Sequence, residues 1–371
     1  MTHKITLIPG DGIGPEVIHA ALDVLQAVAA KHHHTLHATH ADVGWAAIDN
    51  HGHALPPITR DICNHADAIL FGAVGIPDRD KTLPLHQRPE RVSLLELRKG
   101  LFANLRHIVL PPGLAHRCPL KDDRLSKGID MMIVRELTGG LYYGTPQEVT
   151  GTAPHRKAVD TLAYTEEEVR RIVKVGFELA RLRRKKLASV DKHNILATSQ
   201  LWREVAIEVS RNYPDVALEH LLVDNAAMQL LRRPGDFDVI VTENTFGDIL
   251  SDEASMLVGT IGLVPSASLG YEYLEDLGHE PHKAGAPHTT PFYEPIHGSA
   301  PDIAGKNLAN PAAAILTAAM MLQYTFHLPT EATAIHDAVF AVLNEGKVLT
   351  GDLGGKATCT DFTAAVIKKL V

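Results

Sequence analysis

The stretch ITLIPGDGIGPEV, residues 5–17, decides the fold. Its first part, Ile5 to Ile8, is a short apolar run that predicts a strand, and Pro9-Gly10-Asp11-Gly12 predicts a tight turn. Pro15 suits the first position of a helix. Apolar residues then recur on one face of that helix, at Val17, Ala21, Val24 and Val28. A strand that leads through a short turn into a helix is typical of α/β proteins.

The rest of the chain repeats this alternation. Apolar runs predict buried strands at 68–74, 131–134 and 239–241. Thr165 and Glu168 form a capping-box pair that opens a helix, and Asn310-Pro311 opens an alanine-rich helix. The stretch 270–291, rich in Gly, Pro and His, predicts a loop. Because 371 residues exceed the usual size of one core, we expect two lobes.

Composition and charge exclude several classes of protein. The net charge is −8 with a pI near 6.2, which argues against nucleic acid or an anionic membrane as the main partner. No apolar run is long enough to span a bilayer, and no secretory signal is evident. The three cysteines are far apart, so they suggest neither disulfides nor a zinc site. We expect a cytoplasmic protein.

The 22 histidines include a dense tract at His32, His33, His34, His37 and His40. Such a tract could bind a metal ion. The interpretation we favour is a solvated end of the first helix, because unanchored surface histidines seldom form a closed coordination shell.

The glycine cluster at 10–14 differs from the dinucleotide-binding fingerprint. That fingerprint requires a third glycine where Pro15 stands and an acidic residue about 20 positions further on. Asp42 lies too far along to fit well. We therefore interpret the cluster as a tight turn, with a phosphate cradle as the alternative, and expect any NAD to bind by a different architecture.

Two aspartates carry the strongest chemical signal. Asp248 and Asp252 are four residues apart, so on a helix they share one face and repel each other unless a cation lies between them. Hard oxygen ligands suit Mg²⁺ or Mn²⁺, and the alternative is a solvated acidic face. Asp224 is a further candidate, because it also stands in an apolar context.

Candidates for anion binding and proton transfer lie elsewhere in the chain. Arg98, Arg106 and Arg135 stand beside apolar stretches, and arginine binds carboxylates with paired hydrogen bonds, although each alone could be a surface residue. Lys192 ends a predicted strand, and a nearby metal would let it act as a base. Tyr142, between glycines, could deliver a proton or be a packed aromatic.

Long motifs in this sequence resemble those of the β-decarboxylating dehydrogenases, which act on 3-isopropylmalate, isocitrate, homoisocitrate and tartrate. The resemblance runs nearly end to end. It is carried by residues 8–16 (IPGDGIGPE), 101–106 (LFANLR), 134–140 (VRELTGG), 190–192 (VDK), 245–255 (TFGDILSDEAS) and 294–306 (EPIHGSAPDIAGK).

The resemblance implies a fold and an assembly. The fold would be the two-domain isopropylmalate/isocitrate dehydrogenase-like α/β fold rather than a Rossmann fold. A discontinuous cofactor-side domain would span 1–105 and 256–371, and a dimerisation and metal-site domain would span 106–255. The resemblance also implies a homodimer in which each active site borrows residues from the partner.

The resemblance further implies roles for the candidate residues. Arg98, Arg106 and Arg135 would hold the carboxylates of a malate-type substrate, and Tyr142 would protonate the carbon left by CO₂. Asp248 and Asp252 would bind the metal with Asp224 of the partner, and Lys192 of the partner would take the hydroxyl proton. NAD would contact Ile13, Gly75, Glu90, His297, Gly298, Ser299, Ala300, Asp302, Ile303 and Asn310.

The paired leucines Leu94 and Leu95 resemble those of the members that act on 3-isopropylmalate, where they receive the isopropyl group. That diacid is the expected substrate, and tartrate or an alkylmalate is the alternative. The sequence departs from the pattern at several points. Arg98 and Arg106 are two residues closer than expected, Val92 and Ser93 add one residue before the leucines, His107 replaces a proline, and the stretch 270–291 is longer.

Overall fold

The computed structural model describes residues 2–277 and 289–371. The strands in this part of the chain are β1 (Thr2–Gly10), β2 (Thr35–His40), β3 (Ala68–Ala73), β4 (Ala103–Val109), β5 (Asp130–Glu136), β6 (Glu148–Thr150), β7 (Lys157–Val159), β8 (Lys186–Asp191), β9 (Ala217–Leu222), β10 (Val239–Thr242), β11 (Pro265–Leu269) and β12 (Phe292–Pro295). The helices are α1 (Gly14–His32), α2 (Gly44–His51), α3 (Pro57–Asn64), α4 (Pro77–Asp80), α5 (Leu95–Leu97), α6 (Glu166–Leu182), α7 (Ala197–Ser210), α8 (Val223–Arg232), α9 (Asn244–Met256), α10 (Tyr271–Asp276), α11 (Ala312–Tyr324), α12 (Pro329–Glu345) and α13 (Cys359–Leu370).

The chain forms two compact units, of which unit 1 comprises Met1–Leu101, Val109–Pro119 and Ser255–Val371. Its strands lie in the order β2-β1-β3-β12-β11. β1 is parallel to β2 and β3, β12 is parallel to β3, and β11 is antiparallel to β12. Helix α11 is buried from Ala312 to Leu322, because its small alanine side chains let α1 and α12 pack closely around it.

Unit 2 comprises Phe102–Ile108 and Leu120–Ala254. Its strands lie in the order β4-β5-β10-β8-β9, and β10 is parallel to both β5 and β8. Helix α6 packs on β5, β8 and β10 through a buried apolar face. Ligands of parallel α/β sheets bind at the carboxyl ends of the strands, so the residues that follow β5, β8 and β10 are the first place to seek a site.

Most of the predicted elements are confirmed. The first strand, turn and helix are present with Pro15 in the first helical turn, and the three predicted buried strands correspond to β3, β5 and β10. Thr165 and Glu168 make both hydrogen bonds of a capping box at the start of α6. The alanine-rich helix is α11.

The predicted loop at 270–291 is partly wrong. Tyr271–Asp276 forms helix α10, in which Tyr273 is buried and packs edge-on against Tyr324 with ring centroids 5.5 Å apart. The prediction was wrong here because the glycines, prolines and histidines later in the stretch 270–291 dominated its composition, whereas residues 271–276 contain none of them. Residues 278–288 lie outside the described residues, so the expectation of a loop there stays a prediction.

The histidine tract is less solvated than expected. Helix α1 ends at His32, and the left-handed conformation of His33 turns the chain so that His34 reaches the first turn of α12. There the His34 ring nitrogen Nε2 lies 2.7 Å from Oε1 of Glu331, and only 16% of the side chain is exposed. His37 and the following residues are exposed, as predicted.

Within the described residues, no helix combines the length and the apolar character needed to cross a membrane.

Candidate active site

Two carboxylates lie one helical turn apart near the start of α9. The helix begins directly after β10, at the carboxyl ends of the parallel strands of unit 2. Asp248 and Asp252 share one face of this helix, as their spacing predicted. Their side chains are 33% and 59% exposed, whereas Leu250 on another face is buried. The pair is therefore accessible to a ligand while the helix is held by its apolar side.

Two buried arginines reach these carboxylates from neighbouring strands. Arg106 on β4 donates from Nη2 to Oδ1 of Asp248 at 3.3 Å and from Nη1 to Oδ1 of Asp252 at 3.2 Å. Arg135 on β5 donates from Nη1 to the same oxygen of Asp248. The two arginines are only 8% and 4% exposed, so the surface interpretation is wrong for both. Buried, fixed guanidinium groups beside acidic residues suit an anionic ligand and a cation bound together.

Tyr142 joins this group as a neutral proton donor. It ends a short 3₁₀ turn at Gly140–Tyr142, and its hydroxyl donates to Oδ2 of Asp248 at 3.0 Å. Burial, and then the charge of Asp248, raise the pKa of the Tyr142 hydroxyl above its ordinary value. Burial also raises the pKa of Asp252, although the charge of Arg106 opposes this effect. The raised pKa reinforces the protonated state that a phenol already has at neutral pH, in which it can donate a hydrogen bond.

Lys192 and Asp224 form a second pair in unit 2. Lys192 directly follows β8, and Asp224 lies in the first turn of α8. Nζ of the lysine lies 2.8 Å from Oδ1 of the aspartate, and this hydrogen bond lowers the pKa of the Asp224 carboxyl. The aspartate side chain is 61% exposed despite its apolar sequence context. The two residues thus form an ion pair in which the aspartate is exposed and the lysine is 27% exposed.

The segment that carries Lys192 is anchored by its neighbour Asp191, a residue that sequence reasoning missed. Asp191 ends β8 and is 1% exposed. Its carboxylate accepts hydrogen bonds from Nε and Nη2 of Arg203 at 2.8 and 2.9 Å, and from the backbone N–H of His193 at 3.1 Å. Such a bidentate pair fixes the backbone on both sides of the lysine.

No group of three or more metal-ligating side chains converges in the part of the chain that the structure describes. Asp248 and Asp252 alone supply two carboxylates, which is the donor type that Mg²⁺ and Mn²⁺ prefer.

The two leucines predicted to receive the isopropyl group lie in unit 1, in a segment that begins with a turn of π-helix. Residues Glu90–Leu94 form this turn, which accommodates one additional residue in a helix and agrees with the extra residue seen in the sequence. Leu94 is 7% exposed and packs in the hydrophobic core with Phe71 and Phe292, whereas Leu95 is half-buried and Glu90 is exposed. Of the two leucines, Leu95 is therefore the better placed to meet a ligand.

Arg98 lies at the end of α5, also in unit 1. Its guanidinium donates to Glu294 on β12 and lies 5.8 Å from the centroid of the Phe292 ring. The arginine is thus already paired with a carboxylate in this structure, as Arg106 and Arg135 are with Asp248.

The glycine turn of unit 1 packs against the chain itself. A Cβ atom at Gly10 would lie 2.0 Å from the carbonyl oxygen of Ala73, and one at Gly12 would lie 1.9 Å from that of Ser299. Both glycines also have positive φ angles. The carboxylate of Asp11 accepts from the backbone N–H of Gly75 at 2.8 Å. These contacts agree with the interpretation of a tight turn, in which glycine is needed for close backbone approach.

Two of the predicted cofactor residues of unit 1, Gly75 and Ser299, contact this turn through Asp11 and Ile13. His297 is 9% exposed, and its buried Nε2 has no hydrogen-bond partner among the described residues. Ser299 donates to the carbonyl oxygen of Gly75 at 2.5 Å, and Ala300 has a φ of 37°. Asp302 is exposed, whereas the Asn310 side chain donates to Asp352 at 2.9 Å. The remaining residues expected here are Ile13, Gly298 and Ile303.

Comparison with known proteins identifies the family of this chain. The model of the isocitrate/isopropylmalate dehydrogenase family matches residues 4–366. The chain belongs to the isocitrate/isopropylmalate dehydrogenase family. It is 52% identical to a 3-isopropylmalate dehydrogenase of Halalkalibacterium halodurans, over 100% of this chain and 97% of the relative. It is 51% identical to that of Bacillus subtilis, over 94% and 91% of the two chains.

Solved structures of the family have the same fold. The isocitrate dehydrogenase from Methylococcus capsulatus superposes with a TM-score of 0.84 at 32% identity, covering 99% of each chain. A β-decarboxylating dehydrogenase from Thermococcus kodakarensis gives a TM-score of 0.76 at 33% identity, with 99% of this chain and 96% of that chain covered. As a member of the isocitrate/isopropylmalate dehydrogenase family, the chain has the expected α/β fold and is a dehydrogenase.

Proposed function

We propose that this dehydrogenase oxidises 3-isopropylmalate with NAD⁺ and decarboxylates the product to 4-methyl-2-oxopentanoate and CO₂, a step of leucine biosynthesis in the cytoplasm. The observation that carries the proposal is the group formed by Arg106, Arg135, Tyr142, Asp248 and Asp252 in unit 2. It combines fixed cations, paired carboxylates and a proton donor. The relatives named 3-isopropylmalate dehydrogenase support the choice of substrate.

The two arginines would bind the substrate carboxylates. Arg106 and Arg135 are buried, and the planar fork of donors on each guanidinium group matches the geometry of a carboxylate. Their contacts with Asp248 and Asp252 hold the guanidinium planes in place before a substrate arrives. A preorganised arginine loses little conformational entropy on binding, which favours a small, highly charged diacid. Arg98 of unit 1 would contribute a third cation if it exchanged Glu294 for a substrate carboxylate.

The donor set fits a divalent metal ion. Asp248 and Asp252 offer oxygen ligands on a rigid helix, and Asp224 of a partner subunit would add a third carboxylate. A bound Mg²⁺ or Mn²⁺ would supply Lewis acidity at the substrate oxygen. The charge of the ion would also relieve the repulsion between the two aspartates of α9.

Proton transfer would involve Lys192 and Tyr142. Lys192 is paired with Asp224 at 2.8 Å, so the partner subunit would bring both groups to the site together. The lysine would accept the hydroxyl proton of the substrate as the carbinol carbon is oxidised. Tyr142 would then donate a proton to the carbon that lost CO₂, since a phenol is protonated at neutral pH and burial raises its pKa further.

NAD would bind to unit 1, in the predicted cofactor-side domain of residues 1–105 and 256–371. The buried, unpartnered Nε2 of His297 would find a hydrogen-bond partner on the cofactor. A Cβ atom built on Gly298 meets nothing within 4 Å, so the backbone is open to a ligand there. Asp302 is exposed and would accept hydrogen bonds from the adenosine ribose. Held by these residues, NAD⁺ would supply the hydride acceptor that the oxidation of the substrate requires.

A second copy of the chain would complete each site. Large apolar side chains are exposed on unit 2, with Met228 and Leu231 on α8 60% and 46% exposed and Ile249 on α9 62% exposed. α8 carries Asp224 and α9 carries the other two carboxylates. Apolar residues exposed on the two helices that bear metal ligands favour a homodimer with shared active sites.

Steady-state assays with Mn²⁺ and NAD⁺ test the substrate. We expect a higher kcat/KM for 3-isopropylmalate than for malate, because each missing methylene loses about 1 kcal/mol or more of transition-state binding in an apolar pocket. Isocitrate should be poorer still, since its third carboxylate would meet the half-buried Leu95. Equal or better turnover of isocitrate would exclude the proposed substrate.

Tartrate or an alkylmalate is a second candidate. Two of the residues expected near the isopropyl group are otherwise engaged in this structure. Leu94 is buried in the core of unit 1, and Arg98 is paired with Glu294. A pocket for a different side group of the diacid is therefore the alternative. Including both compounds in the same assay separates the candidates. A kcat/KM for tartrate above that for 3-isopropylmalate would favour the second one.

A further inference from the structure

Asn244 connects three segments of the candidate site. It is the first residue of α9 and is fully buried. Its side-chain Oδ1 accepts from Nε and Nη2 of Arg135 at 3.0 and 2.8 Å, and its Nδ2 donates to the carbonyl oxygen of Gly139 at 3.0 Å. Its backbone N–H donates to the hydroxyl oxygen of Tyr164 at 3.0 Å. One side chain thus links β5, the glycine turn before Tyr142, and α9.

The orientation of the Asn244 amide is fixed by its partners. The guanidinium of Arg135 has only donors, so the amide oxygen must face it. The carbonyl of Gly139 has only acceptor capacity, so the amide nitrogen must face the glycine turn. A flipped amide would place donor against donor and acceptor against acceptor, so the side chain has one stable orientation.

This orientation determines which edge of Arg135 faces the site. Asn244 occupies the edge formed by Nε and Nη2, while Nη1 donates to Asp248. Asn244 and Asp248 are four residues apart on α9 and lie on the same face of the helix. The two residues therefore hold the guanidinium plane between them, with the asparagine on one edge and the aspartate on the other.

The neutrality of Asn244 is the important property. A carboxylate at this position could still accept from Arg135, but it would compete with Asp248 and with an anionic ligand for the same positive charge. It would also place an acceptor against the carbonyl oxygen of Gly139. The amide occupies two donors of Arg135 without neutralising its charge.

Tyr164 supports the same arrangement from the other side. Its hydroxyl lies 3.3 Å from Oε2 of Glu243, and its ring packs on the glycine turn. A Cβ atom at Gly139 or Gly140 would lie 2.6 or 2.4 Å from atoms of Tyr164. The start of α9 and the turn that carries Tyr142 are therefore held in a fixed spatial relation.

We propose that Asn244 is a positioning residue, which sets the guanidinium of Arg135 for the substrate carboxylate while leaving its charge available. This inference rests on the proposed function, because it assigns Arg135 to substrate binding. It predicts that Asn244 governs affinity for the diacid and has no effect on affinity for NAD⁺, whose predicted residues lie in unit 1.

The test compares Asn244→Ala, Asn244→Asp and Tyr164→Phe with the wild-type enzyme. Thr245→Val is the matched control, because Thr245 lies next in α9 and its buried hydroxyl has no hydrogen-bond partner among the described residues. Calorimetry with Mn²⁺ measures the Kd of 3-isopropylmalate, steady-state kinetics give KM for the diacid and for NAD⁺, and urea unfolding measures stability.

We expect Asn244→Ala to raise the Kd and KM of the diacid about tenfold or more, since hydrogen bonds to a charged group are lost, with KM for NAD⁺ unchanged. Asn244→Asp should weaken diacid binding further although it keeps the acceptor. Tyr164→Phe, which retains the ring packing, should show a smaller rise in the same direction and keeps the proposal testable if Asn244→Ala does not fold. Thr245→Val should match the wild type.

Two results would overturn the proposal. The first is an Asn244→Asp enzyme with wild-type affinity for the diacid, since the neutral amide would then be unimportant. The second is an equal rise in KM for the diacid and for NAD⁺, which indicates a general loss of structure. If the wild-type enzyme prefers another diacid, the proposed substrate is wrong but the role of Asn244 can still be tested. The Kd and KM of the same variants are then measured with the preferred diacid.

Discussion

Mixing two inactive variants tests whether the active site is shared between subunits. Lys192→Met removes the proposed base, and Asp248→Asn removes a proposed metal ligand. In a shared site, Lys192 of one chain works with Asp248 of the other, so a mixed dimer has one site that contains both wild-type residues. Random exchange of equal amounts gives about half mixed dimers, and therefore about a quarter of the wild-type activity.

The pairing of Lys192 with Asp224 supplies a control. These side chains are 2.8 Å apart within one chain, so they should enter the same site together. If both residues of a site come from one chain, a mixture of Lys192→Met with Asp224→Asn leaves every site with one substituted residue of the pair, in homodimers and mixed dimers alike. No activity should return from this second mixture, although both mixtures exchange subunits to the same extent.

The assay is the rate of NADH formation after subunit exchange, with the fraction of mixed dimers measured by native mass spectrometry. Recovery in the first mixture and none in the second is the expected result. Absence of recovery in both mixtures, with exchange demonstrated, would mean that each chain holds a complete site. Recovery in the control would mean that Lys192 and Asp224 act in different sites.

Three further predictions concern the cofactor, the dimer and acid stability. Replacing Asp302 with Lys and Ile303 with Tyr should shift the ratio of kcat/KM values toward NADP⁺ by about tenfold or more, because a carboxylate there would repel the 2′-phosphate; an unchanged ratio would mean that Asp302 does not contact the ribose. Met228→Asp should yield monomers in analytical ultracentrifugation, because a charge would have to be buried at the proposed dimer contact; a stable dimer would locate that contact elsewhere. Burial tends to raise the pKa of Asp130, but the hydrogen bonds and charges of His107 and Arg183 outweigh it and hold this pKa well below its ordinary value. The folded state is therefore stabilised when this carboxyl is ionised, and the stabilisation is lost as the pH falls below about 4. Urea unfolding should show Asp130→Asn less stable than wild type at pH 7, with the difference shrinking in acid; a difference independent of pH would contradict the assignment.

Local patterns in the sequence were sufficient to predict many elements of the fold. Pro15 after the glycine turn, the capping box at Thr165 and the apolar strands each depend on neighbouring residues, and the structure has them as expected. The pair Asp248 and Asp252 was predictable for the same reason, because a separation of four residues places two side chains on one helical face.

The rest of the site depends on contacts between distant segments. Asn244 meets Arg135 across 109 residues of sequence, and a neutral asparagine leaves no charge pattern that would identify it. Asp191 and Arg203 were missed because their pairing requires β8 to pack against α7. The direction of Leu94 depends on a π-helical turn, and the turn changes the face on which each following side chain lies.

That π-helical turn has a consequence for how the substrate range of this enzyme could evolve. Deleting one residue from Glu90–Leu94 would restore regular α-helical geometry and rotate the side chains beyond it by about 100°. Such a deletion would redirect Leu94 and Leu95 relative to the core without changing any of the side chains themselves. A change in the length of this segment can therefore alter the shape of the pocket in one step, without any substitution. Libraries that vary this length would select for substrates that libraries of point mutations do not cover.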